Sequence, residues 1–390
     1  MQKLIKFIAA TFLTLSISSC QTKAPSEPTS PATNPPSAPL IDPSKHKDYK
    51  ESQRTSLEMQ LSIPYRSLDT SKSIETFGFG ACNDQDQEQP LWKLISKNSP
   101  QLFIMMGDNV YASAPESKPI YAQYLKLNKN QDYRELREKV PFLATWDDHD
   151  FGQNDGGFNN PEKDEARRVF LNYWGYLKQT LPKKQMAIYH SRMIGKAPHR
   201  VHVILLDTRW DRSDLVKNPE HNPDDQDVPP KIYKPTTDKS TKILSSEQWA
   251  WLEDELQKPA ELKILVSSIQ VLPETPGFEK WANFPHEREK LLNLIKKNKS
   301  KNVVIFSGDR HLAAVSKVNL GSNHELFEIT GSALNRPSRL KTTESDPSYT
   351  ADTYGAINFG LGKIDWKKRA LKLEIRDVDD KVQISQDIRF

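Results

Sequence analysis

Apolar runs alternate with amphipathic segments along the chain from about residue 72 onward. Apolar runs of strand length occupy residues 76–82, 101–108, 140–148, 200–209, 261–270 and 302–309. Segments with helical spacing of their apolar positions occupy residues 89–98, 121–127, 133–139, 161–177, 246–257 and 285–298. Strands that alternate with helices in this way are typical of α/β folds.

The pattern changes near the end of the chain, in residues 370–377. Side chains alternate strictly there, with Leu371, Leu373 and Ile375 on one face and Lys372, Glu374 and Arg376 on the other. Such alternation indicates half-exposed antiparallel strands, which fit a mixed sheet. We find no internal repeat and no second domain, so the sequence predicts one α/β (α+β) domain over residues 72–390.

Composition adds little to this picture. The chain of 390 residues is 36% hydrophobic and 27% charged, as expected for a soluble protein with a large core. Its net charge of +4 includes two lysines in the first nineteen residues. This balance is too weak to indicate a nucleic-acid partner.

The N-terminal residues resemble an export signal. Lys3 and Lys6 precede an apolar stretch that is too short to span a bilayer as a helix. The stretch ends in Ile-Ser-Ser-Cys, which resembles the lipobox of bacterial lipoproteins. We therefore expect residues 1–19 to be a signal peptide and Cys20 to carry lipid, with a plain secretory signal as the alternative.

A proline-rich segment follows, in which residues 21–45 contain seven prolines and almost no large apolar side chain. Such a segment cannot bury enough surface to fold, so residues 20–71 are predicted to be an extended linker. Together with the lipobox, it predicts an exported lipoprotein anchored to a membrane of the bacterial cell envelope.

Polar residues follow almost every predicted buried strand. They are Cys82, Asp108, Asp147 with Asp148, Asp207 and Asp309. Ligands of open α/β sheets bind outside the carboxyl ends of the strands. If these strands share one sheet, the polar residues converge at one edge of it.

Six of the residues in these regions could bind metal ions: Cys82, Asp108, Tyr111, Asp148, Asp309 and His311. Carboxylate oxygens suit Ca²⁺, Mg²⁺ or Mn²⁺, and a phenolate, a thiolate and an imidazole add ligands that suit iron. The mixture fits a binuclear or larger centre better than a structural zinc site. The alternatives are a core thiol for Cys82 and a packing role for Tyr111.

These motifs also carry a family resemblance, which covers roughly residues 74–366. The segments that carry it are GACNDQ, MMGDNVYA, ATWDDHDFGQNDGG, VILLDTR, SSIQVLPETPGFEKWANFPHER and FSGDRH. In this order they resemble the alkaline phosphatase D (PhoD-like) family of the calcineurin-like metallophosphatase superfamily. The resemblance implies a four-layer αββα sandwich with mixed sheets.

The resemblance also implies roles for the first group of candidate ligands. Asp108 corresponds to the aspartate that bridges two metal ions. Cys82 stands where most of the superfamily has an aspartate, and Tyr111 follows as in the members that contain iron and calcium. The implied cofactor is therefore Fe³⁺ with Ca²⁺, with Mn²⁺ and Zn²⁺ as alternatives.

The remaining motif positions depart from the usual superfamily pattern. Asp148 replaces the metal-binding asparagine of the G-N-H-E turn, and His149 corresponds to its histidine. Asp309 and His311 replace the paired histidines of the G-H-x-H motif. The usual metal-binding histidine in the middle of the chain has no counterpart, because Gln270 occupies that region.

The implied reaction is hydrolysis of a phosphate ester by a metal-activated water. His149 is expected to donate a hydrogen bond to the phosphate or a proton to the leaving oxygen. Arg209 is expected to bind the phosphate through two hydrogen bonds. The alternative for Arg209 is an ion pair with Asp207 or Asp211.

Two other functions are alternatives for the same residues. The His149–Asp150 pair resembles the motif of HD-domain phosphohydrolases, but those enzymes build the site on helices, and here the pair follows a strand-like run. A lipid-anchored phosphate- or metal-binding protein without catalytic activity is the second alternative. The sequence favours an exported metal-dependent phosphoesterase, with a phosphate ester as substrate and residues 211–241 as a mobile loop or a lid over the site.

Overall fold

The computed structural model describes residues 40–41, 61–222, 230–297, 302–338 and 344–390. The predicted signal peptide, Cys20 and most of the predicted linker lie outside the described residues, as do residues 223–229 of the predicted loop. Among the described residues, none of the helices combines the length and the hydropathy needed to cross a bilayer.

The described elements agree in order and type with most of the sequence prediction. The strands are β1 (Leu40–Ile41), β2 (Tyr65–Arg66), β3 (Thr76–Gly80), β4 (Phe103–Met106), β5 (Phe142–Thr145), β6 (His190–Ile194), β7 (Val201–Leu205), β8 (Val216–Lys217), β9 (Tyr233–Lys234), β10 (Leu262–Val266), β11 (Val303–Ser307), β12 (Ala313–Asn319), β13 (Glu325–Gly331), β14 (Phe359–Asp365), β15 (Ala370–Arg376) and β16 (Val382–Arg389). The helices are α1 (Leu91–Lys97), α2 (Ile120–Leu127), α3 (Gln131–Lys139), α4 (Asp148–Phe151), α5 (Lys163–Tyr173), α6 (Tyr176–Thr180), α7 (Ser246–Gln257) and α8 (Pro285–Lys297).

Two six-stranded mixed sheets organise the fold. Sheet I has the strand order β16-β15-β14-β3-β4-β5, and sheet II has the order β12-β13-β11-β10-β7-β6. In sheet I, β3, β4 and β5 are parallel and the other strands are antiparallel to their neighbours. In sheet II, β13, β11, β10 and β7 are parallel, and an antiparallel strand closes each edge.

Alternate side chains of the parallel strands point into different layers. Ile104 and Met106 of β4 join Ile264 of β10 in a core between the two sheets. Phe103 of β4 faces the other way, against the layer formed by α1, α2, α3 and α5. Leu265 of β10 packs against α7 and α8 on the outer face of sheet II. Each sheet thus carries helices on its outer face, which confirms the predicted αββα sandwich.

The packed part of the chain begins earlier than the predicted boundary at residue 72. Leu61 and Ile63 are buried against the helix layer of sheet I. Arg66 donates from Nε to the carbonyl oxygen of Glu138 at 3.0 Å, and β2 pairs with β1. The sequence did not predict this short segment because proline-rich residues precede it. Its few apolar side chains are also too sparse to form a periodic pattern.

Candidate metal centre

The candidate ligands follow strands of both sheets, so they do not converge at the edge of a single sheet. Cys82, Asp108 and Asp148 follow β3, β4 and β5 of sheet I, and Asp309 follows β11 of sheet II. The two sheets face each other across a common core, so the carboxyl ends of their parallel strands meet between them. The ligand atoms of Asp148 and Asp309 consequently lie within 4.8 Å of each other.

Four of the candidate ligands have left-handed backbone conformations. The φ angles are 58° at Cys82, 49° at Asp108, 66° at Asp309 and 55° at His311. Residues other than glycine seldom adopt this conformation, which costs of the order of 1 kcal/mol or more per residue. The surrounding structure therefore holds the chain in sharp turns that aim these side chains at one point.

Glycines beside the ligands allow the turns to approach each other closely. A Cβ atom at Gly107 would lie 2.6 Å from the Cβ of Asp147, and Gly107 also has a φ of 116°. A Cβ atom at Gly308 would lie 2.6 Å from the Cβ of Ala81. Both Gly-Asp pairs of the sequence are thus explained, because any larger side chain would push the ligand-bearing turns apart.

The first group of ligands surrounds Asp108, which is buried. Its Oδ2 lies 3.4 Å from Sγ of Cys82 and 3.2 Å from the hydroxyl of Tyr111. The same hydroxyl lies 2.8 Å from Nε2 of His311. Ser332 fixes this group, since its hydroxyl contacts Cys82 Sγ at 2.9 Å and accepts from the backbone N–H of His311 at 2.9 Å.

The second group shares Asp108 with the first and adds residues of the short helix α4. Asp108, Asp148 and His149 offer ligand atoms within 4.8 Å of one another, as do Asp147, Asp148 and Asp309. Asp148 is held by the backbone N–H of Asp155, which donates to its Oδ2 at 2.8 Å. The groups overlap at Asp108 and Asp148, an arrangement that suits neighbouring cations sharing carboxylate ligands.

Two observations show that a cation fits this cluster. The buried oxygens Asp147 Oδ2 and Asp148 Oδ1 have no hydrogen-bond partner within the described parts of the chain. Burial raises the pKa of Asp108 well above its usual value, and the charges of Asp148 and Asp147 add to the shift. Burial and Asp147 likewise raise the pKa of Asp309. A bound cation would pair the free oxygens and neutralise the repulsion.

His149 lies at the edge of the cluster and is partly exposed. Its Nδ1 contacts the hydroxyl of Ser113 at 2.6 Å, and its ring centroid lies 4.0 Å from that of Tyr111. Burial lowers the pKa of His149, with the charge of Asp148 acting in the opposite direction. The contact with Ser113 fixes the ring through one nitrogen and leaves Nε2 for a ligand or a proton transfer.

Arg209 lies in a buried ion-pair network. Its Nε and Nη2 contact Asp147 Oδ1 at 2.6 Å and 2.5 Å, and its Nη1 contacts Glu279 Oε2 at 2.6 Å. Its carboxylate partners are therefore not the Asp207 or Asp211 of the sequence alternative. The observed bonds orient Asp147, and the contact of Arg209 with phosphate stays a prediction.

Three carboxylates outside the predicted ligand set complete the cluster: Asp147, Asp150 and Glu279. The acidic run offers Asp150 either as a partner of the ligands or as a solvated acid. Asp147 is outside the predicted ligand set, although its position directly after β5 is a usable signal. Asp150 positions the turn before Tyr111, because it accepts from the backbone N–H of Asn109 at 3.0 Å and from the hydroxyl of Tyr124 at 2.8 Å. Glu279 lies in the segment 267–288, which carries part of the family resemblance, but nothing in that segment singles out this carboxylate from the sequence.

Comparisons with known proteins agree with this geometry. The family model of the PhoD-like phosphatases matches residues 77–370, which is most of the chain. The chain belongs to this family. Over 300 residues it is 24% identical to alkaline phosphatase D of Bacillus subtilis (strain 168), covering 66% of this chain and 48% of the relative. This PhoD-like chain thus spans about half the length of the curated relative that it matches.

Solved structures share the fold of this PhoD-like chain. The structure titled "Structure of PhoD" matches with a TM-score of 0.63 and 16% identity, covering 84% of this chain and 71% of that one. GAP50, described as the anchor in the inner membrane complex of Plasmodium, matches with a TM-score of 0.54 and 12% identity, covering 82% and 90%. The predicted family and fold class are therefore confirmed.

Proposed function

We propose that this protein is an exported, metal-dependent phosphoesterase that hydrolyses phosphate esters with a metal-activated water. The observation that carries the proposal is the overlap of three potential ligand groups at Asp108 and Asp148, at the meeting point of the two sheets. Membership of the PhoD-like phosphatase family supports the same reaction class. A partly exposed histidine beside the cluster can supply the proton that hydrolysis of an ester requires, which favours the enzyme over the binding protein.

The donor set divides naturally between two cations. Cys82, Tyr111 and His311 would hold one of them, Asp148 and Asp309 the other, and Asp108 would contact both. Thiolate, phenolate and imidazole suit Fe³⁺, whereas carboxylate oxygens suit Ca²⁺, so we propose Fe³⁺ with Ca²⁺. When bound, the cations lower the pKa of a coordinated water and neutralise charge on the phosphoryl oxygens.

His149 is the candidate for proton transfer. Its ring is held by Ser113 and packs on Tyr111, so Nε2 keeps one orientation at the edge of the cluster. A histidine at this position can donate a hydrogen bond to a phosphoryl oxygen and a proton to the departing alkoxide. Arg209 contributes by holding Asp147 and, through it, the geometry of the β5–α4 turn.

Export and anchoring are a separate part of the proposal. They rest on the N-terminal sequence, in which two lysines and a short apolar stretch precede Ser-Ser-Cys. Mass spectrometry of Cys20 in protein from a membrane fraction tests this part. A diacylated N-terminal cysteine is expected, and a free thiol at an uncleaved Cys20 would contradict it.

Hydrolysis of p-nitrophenyl phosphate and bis-p-nitrophenyl phosphate by the purified protein tests the activity. We expect turnover that a chelator abolishes, with iron and calcium in a metal analysis of the same sample. Bound metal without turnover of either ester would favour the binding protein. A protein that retains no metal and hydrolyses neither ester would contradict the metal centre itself.

A further inference from the structure

A second arginine, Arg336, lies beside the metal cluster and differs from Arg209 in its surroundings. Its guanidinium carbon lies 4.2 Å from the ring centroid of Tyr111. The hydroxyl of that ring contacts both Asp108 and His311. The Arg336 side chain is 34% exposed, whereas that of Arg209 is fully buried. Arg336 is thus close to the candidate ligands and still accessible from solvent.

A short network fixes the position of Arg336. Its Nη1 forms an ion pair with Oδ2 of Asp84, whose side chain is only 6% exposed. Asn335 holds the backbone of Asp84 on both sides, because its Oδ1 accepts from Asp84 N at 2.6 Å and its Nδ2 donates to Asp84 O at 2.7 Å. Among the described residues, Asp84 is the single carboxylate that pairs with Arg336, so its other guanidinium donors are available.

The neighbouring Arg310 does not have this freedom. It follows Asp309 directly, but its side chain is buried in an ion pair with Glu344 and lies over the ring of Phe278 at 3.9 Å. Arg209 is committed to Asp147 and Glu279. Arg336 is consequently the arginine beside the described cluster that combines a fixed position with free donors and exposure.

We propose that Arg336 binds the phosphoryl group of the substrate at the mouth of the metal centre. A guanidinium presents paired donors that match two oxygens of a phosphate, and such charge-assisted bonds are among the strongest in proteins. Arg336 and His149 both lie against the ring of Tyr111, at 4.2 Å and 4.0 Å from its centroid, so these donors are close to the candidate acid. This inference rests on the proposed phosphoesterase function, since it requires a phosphate to be bound beside the ligands.

The test compares Arg336→Met and Arg336→Lys with a matched control, Arg200→Met, in the full, metal-loaded protein. Arg200 is also a partly exposed arginine paired with a carboxylate, that of Glu261, but it precedes β7 and lies at the opposite end of the sheet. The measurements are the affinity for inorganic phosphate by calorimetry, KM and kcat for p-nitrophenyl phosphate, and metal content.

Arg336→Met is expected to weaken phosphate binding and to raise KM by about 10- to 100-fold, the range of a lost charge-assisted contact. Metal content should remain that of the wild type. Arg336→Lys should recover part of the affinity, because it keeps the charge but not the paired donors. Arg200→Met should change neither quantity.

Unchanged phosphate affinity in both Arg336 variants, in a wild type that is active, would overturn this inference alone. If Arg336→Met loses metal, Arg336→Lys is the deciding variant, because its lysine can still pair with Asp84. Wild-type affinity for inorganic phosphate in Arg336→Lys would assign Arg336 a structural role and overturn the inference. A wild type that neither binds phosphate nor hydrolyses either ester would instead overturn the proposed function.

Discussion

Asp148 and Asp207 occupy equivalent places in the two sheets but have different surroundings. Each follows a parallel strand, β5 in sheet I and β7 in sheet II. Asp207 accepts from Trp146 Nε1 and Ile188 N at 2.8 Å and from Arg209 N at 3.0 Å, and it also caps the backbone of Trp210. Asp148 accepts from Asp155 N through one oxygen, and its other oxygen has no hydrogen-bond partner within the described residues, with Arg209 Nη2 at 4.0 Å.

The difference shows that position at a strand end does not by itself identify a metal ligand. Donors from the protein satisfy both oxygens of Asp207, so it ties β7 to Trp146 and the segment before β6. Asp148 keeps a buried oxygen for a cation. The number of internal hydrogen bonds therefore separates an aspartate that stabilises the fold from one that can bind metal.

Asp148→Ala should have the largest effect on activity. Alanine removes both carboxylate oxygens that could bind a cation, whereas asparagine would keep one oxygen ligand, so we expect metal content to fall and turnover to drop by about a thousandfold, several kcal/mol of lost stabilisation. Metal analysis and ester hydrolysis measure both. Full metal content with wild-type turnover would remove Asp148 from the ligand set.

His149→Ala should have the next largest effect and should separate proton transfer from metal binding. We expect turnover to fall about a hundredfold, the scale of a lost acid or base, with metal content nearly intact. Ser113→Ala is the matched control, because it releases only the Nδ1 contact. Unchanged turnover in His149→Ala would reject its catalytic assignment, and loss of metal would make it a ligand.

Asp207→Asn should affect stability and leave the metal in place. An amide cannot accept from all four donors, so we expect the free energy of unfolding to fall by about 1–3 kcal/mol. Urea unfolding of metal-free Asp207→Asn and metal-free Asp148→Asn compares the loss of stability caused by the same substitution at the two aspartates. Loss of metal from Asp207→Asn in a folded protein would abolish the distinction between the two aspartates.

The smallest effect concerns His190 on β6, at the edge of sheet II. Burial lowers the pKa of His190 to about 3, so the folded protein keeps it neutral while the unfolded chain protonates near its ordinary pKa of 6.5. Its contribution to stability is therefore complete above about pH 6.5 and declines as the pH falls, by about 1.4 kcal/mol per pH unit at most. His190→Gln should show a shallower loss of stability between about pH 7 and about pH 5 in denaturant titrations. Equal slopes in both proteins would contradict the assignment.

The sequence was sufficient for the strands whose side chains are all or almost all apolar, such as β4 and β11, and for the helices between them. It was not sufficient for β13 and β14. Glu328 lies in the middle of β13, where it is buried because it accepts from Ser307 Oγ at 2.6 Å and from two backbone N–H groups. In β14, Gly360 and Gly362 make room for the rings of Phe79 and Phe77. A buried carboxylate and paired glycines both erase the periodicity that identifies a strand.

The site was predicted to a similar extent. Candidate ligands next to a motif, such as Asp108 and Asp309, were identified because each follows an apolar run directly. The division of these ligands between two sheets was not predicted, since the sequence alone does not reveal which strands pair. Arg336 had no motif around it, and its relation to Tyr111 depends on contacts between segments more than two hundred positions apart in the chain.

The left-handed backbone at Cys82, Asp108, Asp309 and His311 has a consequence for directed evolution. Glycine adopts this conformation without steric cost, so a glycine at any of these positions would relieve conformational strain and remove one donor at the same time. Selection of variants for heat resistance alone would therefore favour glycine there and discard the metal centre. A screen for thermostable variants of this protein must therefore select for turnover in every round. The residues that would bind the metal ions are also the ones with strained backbone conformations.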